Sequence, residues 1–449
     1  MGGTRPLLSR WKGGAVLFPL LALLTGACSG PSGAMRKQVN AQLAAGDYAG
    51  AEARIQGEKL GSYGAKNQVL YYLDLGAVQH DGGKYKESDQ SFSAAEERMD
   101  ELYTKSVTKE GGRFLLNDNT TEYAGERFER ALVNVYRALD YLLAGDRENA
   151  LVEVRKLSRL LQEYSDKYGA KSTAYKDDAF AQYLSGLLYA DGGQDDDARI
   201  SLEAAARAYK NYAAVYGTPT PSLSSPGPAA GQGELIFLHA NGVAPRKESR
   251  SLQVAWNEAV AAVGSTKNDE AQAGQARNAL RAGILGHAIT VAYPVYVQDP
   301  YQIASSEISV DGATAATQLV EDVSAIAQKD LSERQALIRT RAVARAAIKY
   351  ILSKAATDEV KRKYGANSLQ ALAAQVGTAA LAAATEVADT RAWATLPAQF
   401  RMARLGLPAG THQVVVRYLS AAGSPVLTRT FSVTIRKGGR TYLHDRTAL

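Results

Sequence analysis

The sequence predicts an α+β protein that is mainly α, with a helical domain at 35–216 and a mixed α+β domain at 233–449. Three observations predict this fold. Glycine turns flanked by helical periodicity recur in the first half, a Pro/Gly/Ser-rich linker occupies 217–232, and alternating apolar residues mark strands near the C-terminus. The chain has 449 residues, of which 46% are hydrophobic, so it is long enough to bury the cores of two or three domains.

The first 27 residues have the features of an export signal. Three cations (Arg5, Arg10, Lys12) precede the apolar run 15–24, which is too short to span a bilayer. The following Thr25-Gly-Ala-Cys28 contains the single cysteine of the chain and resembles the cleavage site of a bacterial lipoprotein. The alternative is an ordinary secretory signal in which Cys28 is incidental.

The lipoprotein resemblance implies cleavage between Ala27 and Cys28 and attachment of lipid, including palmitate, to Cys28. Residues 28–34 would then be a short lipidated tether. Because Ser29, not Asp, follows the cysteine, the resemblance implies the outer membrane, with the protein facing the periplasm. The membrane is therefore the first expected partner.

The helical domain is predicted from four turns of one layout. In each turn a glycine precedes a small residue by five positions, and apolar residues at helical spacing lie on either side. The glycines are Gly46, Gly83, Gly145 and Gly193. This layout resembles the tetratricopeptide repeat, with spacings that are irregular.

The second domain is predicted to mix strands and helices. We expect three long helices, at 313–327, 331–355 and 368–388, and a C-terminal β-rich region at 393–445. Hairpin turns are expected at 408–410 and 437–439. The sequence leaves open whether the C-terminal strands form a small sandwich or join the earlier strands in one sheet. The expected strands are 234–239, 288–297, 306–310, 413–419, 426–435 and 440–443.

Four stretches together resemble an uncharacterised family of proteobacterial outer-membrane lipoproteins with tetratricopeptide-like repeats. The resemblance implies fold and location and little chemistry; genes of this family are associated with lipoproteins that activate cell-wall synthases. The stretches are 123–143, 241–247, 292–296 and 386–397.

The sequence indicates no catalytic residues, no cofactor and no metal site. One cysteine and five scattered histidines exclude a thiolate zinc site and a local His-x-x-x-His motif. Asp389, Arg391 and Trp393 form a tempting acid–base group, but a structural role is the better interpretation: Asp389 pairs with Arg391 while Trp393 fills a helix–sheet junction. Export of the chain excludes nucleic acid as its partner.

Two surfaces are candidates for a partner. The first is the helix 123–143, where polar and aromatic residues lie off the apolar face: Tyr123, Glu126, Glu129, Asn134 and Tyr141. The second is a basic strip on one helix face, for which a solvated flank is the plainer explanation: Arg334, Arg341, Arg345 and Lys349.

Two functions follow from these patterns. The first is a non-enzymatic, lipid-anchored adaptor that binds an unidentified envelope protein through its helical hairpins, linked to cell-wall or envelope assembly. The alternative is an enzyme acting on envelope polymers, with its site in 233–449. Charge separates the halves: residues 28–216 hold 24 Lys/Arg against 29 Asp/Glu, and 217–449 hold 25 against 17.

Overall fold

The computed structural model describes residues 31–108, 121–168, 175, 177–223, 227–229, 231–255, 288–370 and 388–449. Within them the protein is a mixed α+β fold that is mainly α. The first half holds helices only, and they pack against one another in consecutive pairs. The helices are α1 (Gly33–Ala44), α2 (Tyr48–Gly57), α3 (Gln68–Asp81), α4 (Tyr85–Thr108), α5 (Arg127–Leu143), α6 (Arg147–Tyr168), α7 (Ala179–Asp191) and α8 (Asp195–Tyr216).

The four predicted turn glycines each connect two paired helices. Gly46, Gly83, Gly145 and Gly193 all have φ between 68° and 85°, the left-handed region that glycine occupies without steric cost. The prediction that glycine ends the first helix of each pair is confirmed at all four positions.

The described residues of the second half form two four-stranded sheets, a two-stranded ribbon and a long helix. Sheet 1 has the order β10-β1-β7-β6, sheet 2 the order β5-β4-β8-β9, and the ribbon pairs β2 with β3. The strands are β1 (Gln232–Asn241), β2 (Arg246–Ala255), β3 (Ala288–Val297), β4 (Ser305–Val310), β5 (Ala313–Ala316), β6 (Gln318–Asp322), β7 (Gln399–Pro408), β8 (Gly410–Leu419), β9 (Pro425–Ile435) and β10 (Arg440–Thr447); the helix is α9 (Val323–Tyr364).

Strand β1 is the centre of three packed layers. Its odd-numbered residues Leu235 and Phe237 pack between the two sheets, whereas Ile236 and Leu238 face the helices. Burial of both faces explains why the sequence of β1 reads as a continuous apolar run rather than an alternating one. The layers are therefore the helices, sheet 1 and sheet 2, in that order.

The helices share one apolar core with sheet 1. That core runs from α1 to the face of sheet 1 without interruption across 217–232. Polar contacts also cross the boundary: Tyr209 donates to the carbonyl of Val320 at 2.9 Å, and Arg440 pairs with Asp191 at 3.2 Å. The linker contacts both halves at Ser222. Its backbone carbonyl accepts from the Tyr183 hydroxyl, and its backbone N–H donates to the Gln318 side chain.

Strands overlap all six predicted positions, but several other predictions of the second half are wrong. Residues 313–322 form β5 and β6, not the predicted helix, because strand pairing with β4 and β7 outweighs the helix preference of an alanine-rich segment. The turns 408–410 and 437–439 are not hairpins: each connects a strand of one sheet to a strand of the other. The predicted helix 368–388 lies largely outside the described residues.

The C-terminal strands follow neither arrangement that the sequence left open. β7 and β10 join β1 in sheet 1, while β8 and β9 join β4 in sheet 2. The predicted alternation of β9 is confirmed, since Val433 and Ile435 are buried and Thr430, Ser432 and Thr434 are exposed.

Candidate functional site

An open groove runs between α4, α5 and α6, and it has a volume of about 890 Å³. Met99, Val133 and Leu160 give it an apolar lining. Asn134 lies in the groove wall, whereas the ring of Tyr136 packs on Trp393 and Phe400. Because these two residues are two positions apart on α5, their side chains point about 200° apart around the helix. The groove thus opens on the side of α5 away from sheet 1.

Charged side chains rim the groove, and acids outnumber bases. Two of the three cations are paired within the groove, Arg130 with Asp100 at 2.6 Å and Lys156 with Glu96 at 3.5 Å. Glu101 and Glu96 also pair with Arg98 and Arg137, which lie outside the lining, so Glu97 and Glu163 carry the excess of carboxylate that favours a cationic ligand. The acids are Glu96, Glu97, Asp100, Glu101 and Glu163, and the bases are Arg130, Lys156 and Arg159.

Asn134 and Arg137 of α5 are fixed by carboxylates under the groove. The Asn134 amide donates to Glu96 at 2.8 Å and to Glu153 at 3.3 Å. Arg137, with 7% of its side chain exposed, pairs with Asp89 at 2.7 Å and with Glu153 at 3.3 Å. Burial raises the pKa of Glu153, and the positive charge of Arg137 opposes that shift. This network sets the position of the groove-lining side of α5.

The N-terminal end of α5 contacts the second half of the same chain. Glu126 accepts from Lys247 and, at 2.6 Å, from Arg334. Burial alone would raise the pKa of Glu126, but Lys247 and Arg334 outweigh it and hold this pKa well below its usual range. Glu126 is therefore an internal ion-pair partner.

Glu129 is also hydrogen-bonded inside the protein. It accepts from the Tyr123 hydroxyl at 2.6 Å and from the backbone N–H of Trp393 at 2.9 Å. Burial, with the nearby Glu126 charge, raises the pKa of Glu129. Since Tyr123 and Glu129 are buried, both contribute to the packing of the two halves.

The five predicted partner-binding residues are therefore divided. Glu126 and Glu129 accept hydrogen bonds from the protein's own second half, Tyr123 lies against Arg391 of that half, and Asn134 lines the groove. Tyr141 is half-buried farther along α5, where its hydroxyl donates to Asp89 at 2.9 Å.

The predicted basic strip does not form one exposed surface. Arg334 pairs with Glu126 and Asp330, Arg341 is exposed, and Arg345 is buried. The side chain of Lys349 lies outside the described residues. The pair of Arg334 with Glu126 therefore holds one end of this stripe against the first half of the chain.

The structural role predicted for the segment 389–393 is confirmed. Arg391 pairs with Asp389 at 2.7 Å, and the Trp393 ring packs between Phe92 and Tyr136. The indole of Trp393 and the side chain of Arg391 are both buried.

Asp74 is a buried carboxylate that was not identified from the sequence. This carboxylate is buried in α3, accepts from the backbone N–H groups of Ala394 and Thr395 at 3.0 Å, and also accepts from Tyr63. Burial raises its pKa to about 6, and the hydrogen bonds limit that shift. The feature of the sequence that could have identified it is a charged residue within the otherwise apolar helix α3.

A second cleft, of about 700 Å³, lies where 31–40 meets the loops of the second half. Among the described residues of its lining, Asp299 is the one carboxylate, and Arg36 and Arg246 both pair with it.

The predicted cleavage and lipidation site, Ala27 and Cys28, lies outside the described residues. Among the helices of the described part, none combines the length and apolar character needed to cross a bilayer. Comparison with known proteins gives no match to any family model, to any curated protein or to any solved structure.

Proposed function

We propose that this protein is a non-enzymatic, lipid-anchored scaffold of the cell envelope whose α4–α5–α6 groove binds a basic segment of an envelope protein. The observation that carries the proposal is the groove itself, with five carboxylates against three cations at its rim. Basic side chains of a partner would complement this surplus, and apolar ones would contact Met99, Val133 and Leu160.

A protein segment suits this groove better than a small metabolite. The groove is open along three helices, and its polar groups are spread along the rim instead of converging on one point. Paired helices joined at left-handed glycines support a tetratricopeptide-like repeat, an architecture whose stacked helices bind peptides and helices. This likeness, and membership in the lipoprotein family that the sequence resembles, are part of the proposal.

The proposed anchor is lipid on Cys28, which would hold the protein on the outer membrane facing the periplasm. Cys28→Ser removes the acceptor thiol. We expect this variant to appear as a soluble periplasmic protein or as an uncleaved precursor at the inner membrane. Fractionation of the envelope measures the outcome, and unchanged outer-membrane recovery would contradict the anchor.

Charge reversal in the groove tests the scaffold. Glu97 and Glu163 are exposed at the rim, so Glu97→Lys with Glu163→Lys changes the groove charge without removing a buried contact. We expect the tagged variant to recover at least tenfold less of the wild type's main co-purifying envelope protein. Recovery by the wild type should fall as salt rises.

The matched control is Glu203→Lys with Glu359→Lys, which makes the same change in net charge on exposed positions of α8 and α9. This variant should keep the partner. Equal loss in both variants would show that net charge, not the groove, governs capture. Unchanged capture by the groove variant would reject the proposed site.

A further inference from the structure

Two histidines and an aspartate from distant parts of the chain meet where α3 ends beside β10. One ligand atom from each of His80, Asp81 and His444 lies within 4.8 Å of the others. His444 Nε2 is 3.9 Å from Asp81 Oδ1. The exposed fractions of the three side chains are 0%, 1% and 4%, so the group is closed to bulk solvent.

Three polar atoms of this group have no hydrogen-bond partner among the described residues: His80 Nε2, Asp81 Oδ1 and His444 Nε2. An unpaired buried polar atom costs about 1–3 kcal/mol. Three such atoms on side chains that lie close together therefore destabilise the folded protein unless a ligand bonds to them.

We propose that His80, Asp81 and His444 bind a divalent transition-metal ion, with Zn²⁺ as the ion that this donor set fits best. Two imidazoles and a carboxylate are a known ligand set for zinc, which takes nitrogen and oxygen ligands at about 2.0–2.2 Å. Since α3 belongs to the helical layer and β10 to sheet 1, the ion would join the two halves of the protein.

The residues around the group orient it for this role. His80 Nδ1 lies 2.6 Å from Asp140 Oδ1, and in the tautomer that donates this hydrogen bond the lone pair of Nε2 is available. The Ser88 hydroxyl holds the other oxygen of Asp140 at 2.6 Å. A histidine whose second nitrogen donates to a carboxylate is the usual arrangement of a metal ligand.

The Asp81 carboxylate is also oriented by a neighbouring side chain. Its Oδ2 is 3.3 Å from Arg446 Nε, so this oxygen faces a cation while Oδ1 faces the histidines. Arg446 is in turn fixed by carbonyls, since its Nη1 donates to Ala240 at 3.2 Å and to Thr447 at 2.7 Å. The arginine therefore orients the carboxylate without occupying the position between the ligands.

The spacing of the ligand atoms is close to that of an occupied metal site, since they lie within 4.8 Å of one another. Ligand atoms of a tetrahedral zinc site are about 3.3 Å apart, so side-chain movements of about 1 Å complete the site.

Zinc uptake by the mature, detergent-purified chain tests the proposal. After removal of metal with EDTA, equilibrium dialysis against Zn²⁺ and elemental analysis should give one tight equivalent per chain. His444→Gln should weaken binding at least tenfold. His412→Gln should leave it unchanged, because that histidine pairs with Asp311 on sheet 2, outside the group.

A buried water is the competing occupant of the group. Uptake below 0.1 equivalent by the wild type, or equal uptake by His444→Gln, would overturn the proposal in favour of water. If His444→Gln does not fold, Co²⁺ added to the metal-free wild type decides. The visible absorption of tetrahedral cobalt supports the site, and its absence rejects it. Asp140→Asn, a positioning change, should weaken Zn²⁺ binding 10- to 100-fold.

Discussion

The helical layer has two sides that differ in what satisfies their carboxylates. Toward sheet 1 and the loop 388–398, buried carboxylates accept hydrogen bonds from the second half of the chain, as Glu129 of α5 does from Trp393. Toward the groove, carboxylates such as Glu97 of α4 and Glu163 of α6 are exposed at the rim. The helical layer therefore has an internal side and an open side.

This difference separates residues that hold the protein together from residues available to a partner. Removing a buried carboxylate that accepts several hydrogen bonds costs much folding stability, because its donors are then left without a partner away from water. A rim carboxylate is solvated before and after a partner binds, so evolution can change it for specificity at little cost in stability. The predictions below test that division.

The largest effect is expected at Asp74. Asp74→Ala leaves the Tyr63 hydroxyl and the N–H groups of Ala394 and Thr395 buried without their acceptor. We expect a loss of about 3–5 kcal/mol in the free energy of unfolding, measured by urea denaturation.

The matched change on the open side is Glu97→Ala, since Glu97 is exposed. Its expected effect on the free energy of unfolding is within about 0.5 kcal/mol. Similar losses for Asp74→Ala and Glu97→Ala would remove the distinction between the two sides.

A somewhat smaller effect is expected at Glu126. Glu126→Ala leaves Lys247, with 4% of its side chain exposed, without its carboxylate. The expected loss is about 3 kcal/mol, because a buried charge remains unpaired. Adding Lys247→Met should recover part of that loss in the same denaturation assay; a further loss in the double variant would show that the charge is not the cause.

Protonation of Asp74 should change the free energy of unfolding by about 1 kcal/mol. Its pKa in the folded protein, about 6, exceeds the value of 3.8 in an unfolded chain, so the folded state takes up a proton first as pH falls. Wild type should therefore gain about 1 kcal/mol of stability relative to Asp74→Asn between pH 7.5 and pH 5. Comparing the two proteins cancels the contribution of the buried histidines. A constant difference would show that Asp74 does not titrate in this range.

Cleavage of the linker should have the smallest effect. Because the helices and sheet 1 share one core, a chain nicked within 218–231 should stay together. We expect two fragments in denaturing gels and a single peak of unchanged size in gel filtration. Separation into two folded fragments would instead support two independent domains.

The helical half was predictable because its signals are local. Gly46 and Gly145 end helices through their own backbone freedom, and apolar periodicity places the helices between them. The core of β1 was equally visible as an apolar run. Strand β7 was missed because Arg404 interrupts its apolar pattern, and only the fold shows that Glu234 pairs with this arginine at 2.7 Å.

The site was predictable only in part, for a similar reason. The sequence predicted the segment 123–143 as a helix with unusual polar residues, and the structure shows that Glu126 and Glu129 bond to the protein's own second half while Tyr123 contacts Arg391. The meeting of His80 with His444 depends on how α3 packs beside β10. No pattern within either segment contains that information.

The central claim, that the groove is the binding surface, is tested most directly by photo-crosslinking in intact cells. A photoreactive residue is placed at Ser93, exposed in the groove, or at Thr430, exposed on β9 of sheet 2. We predict that Ser93 forms a crosslink to one envelope protein, that Glu97→Lys with Glu163→Lys abolishes it, and that Thr430 forms none. Crosslinks from Thr430 with none from Ser93 would contradict the account and move recognition to sheet 2.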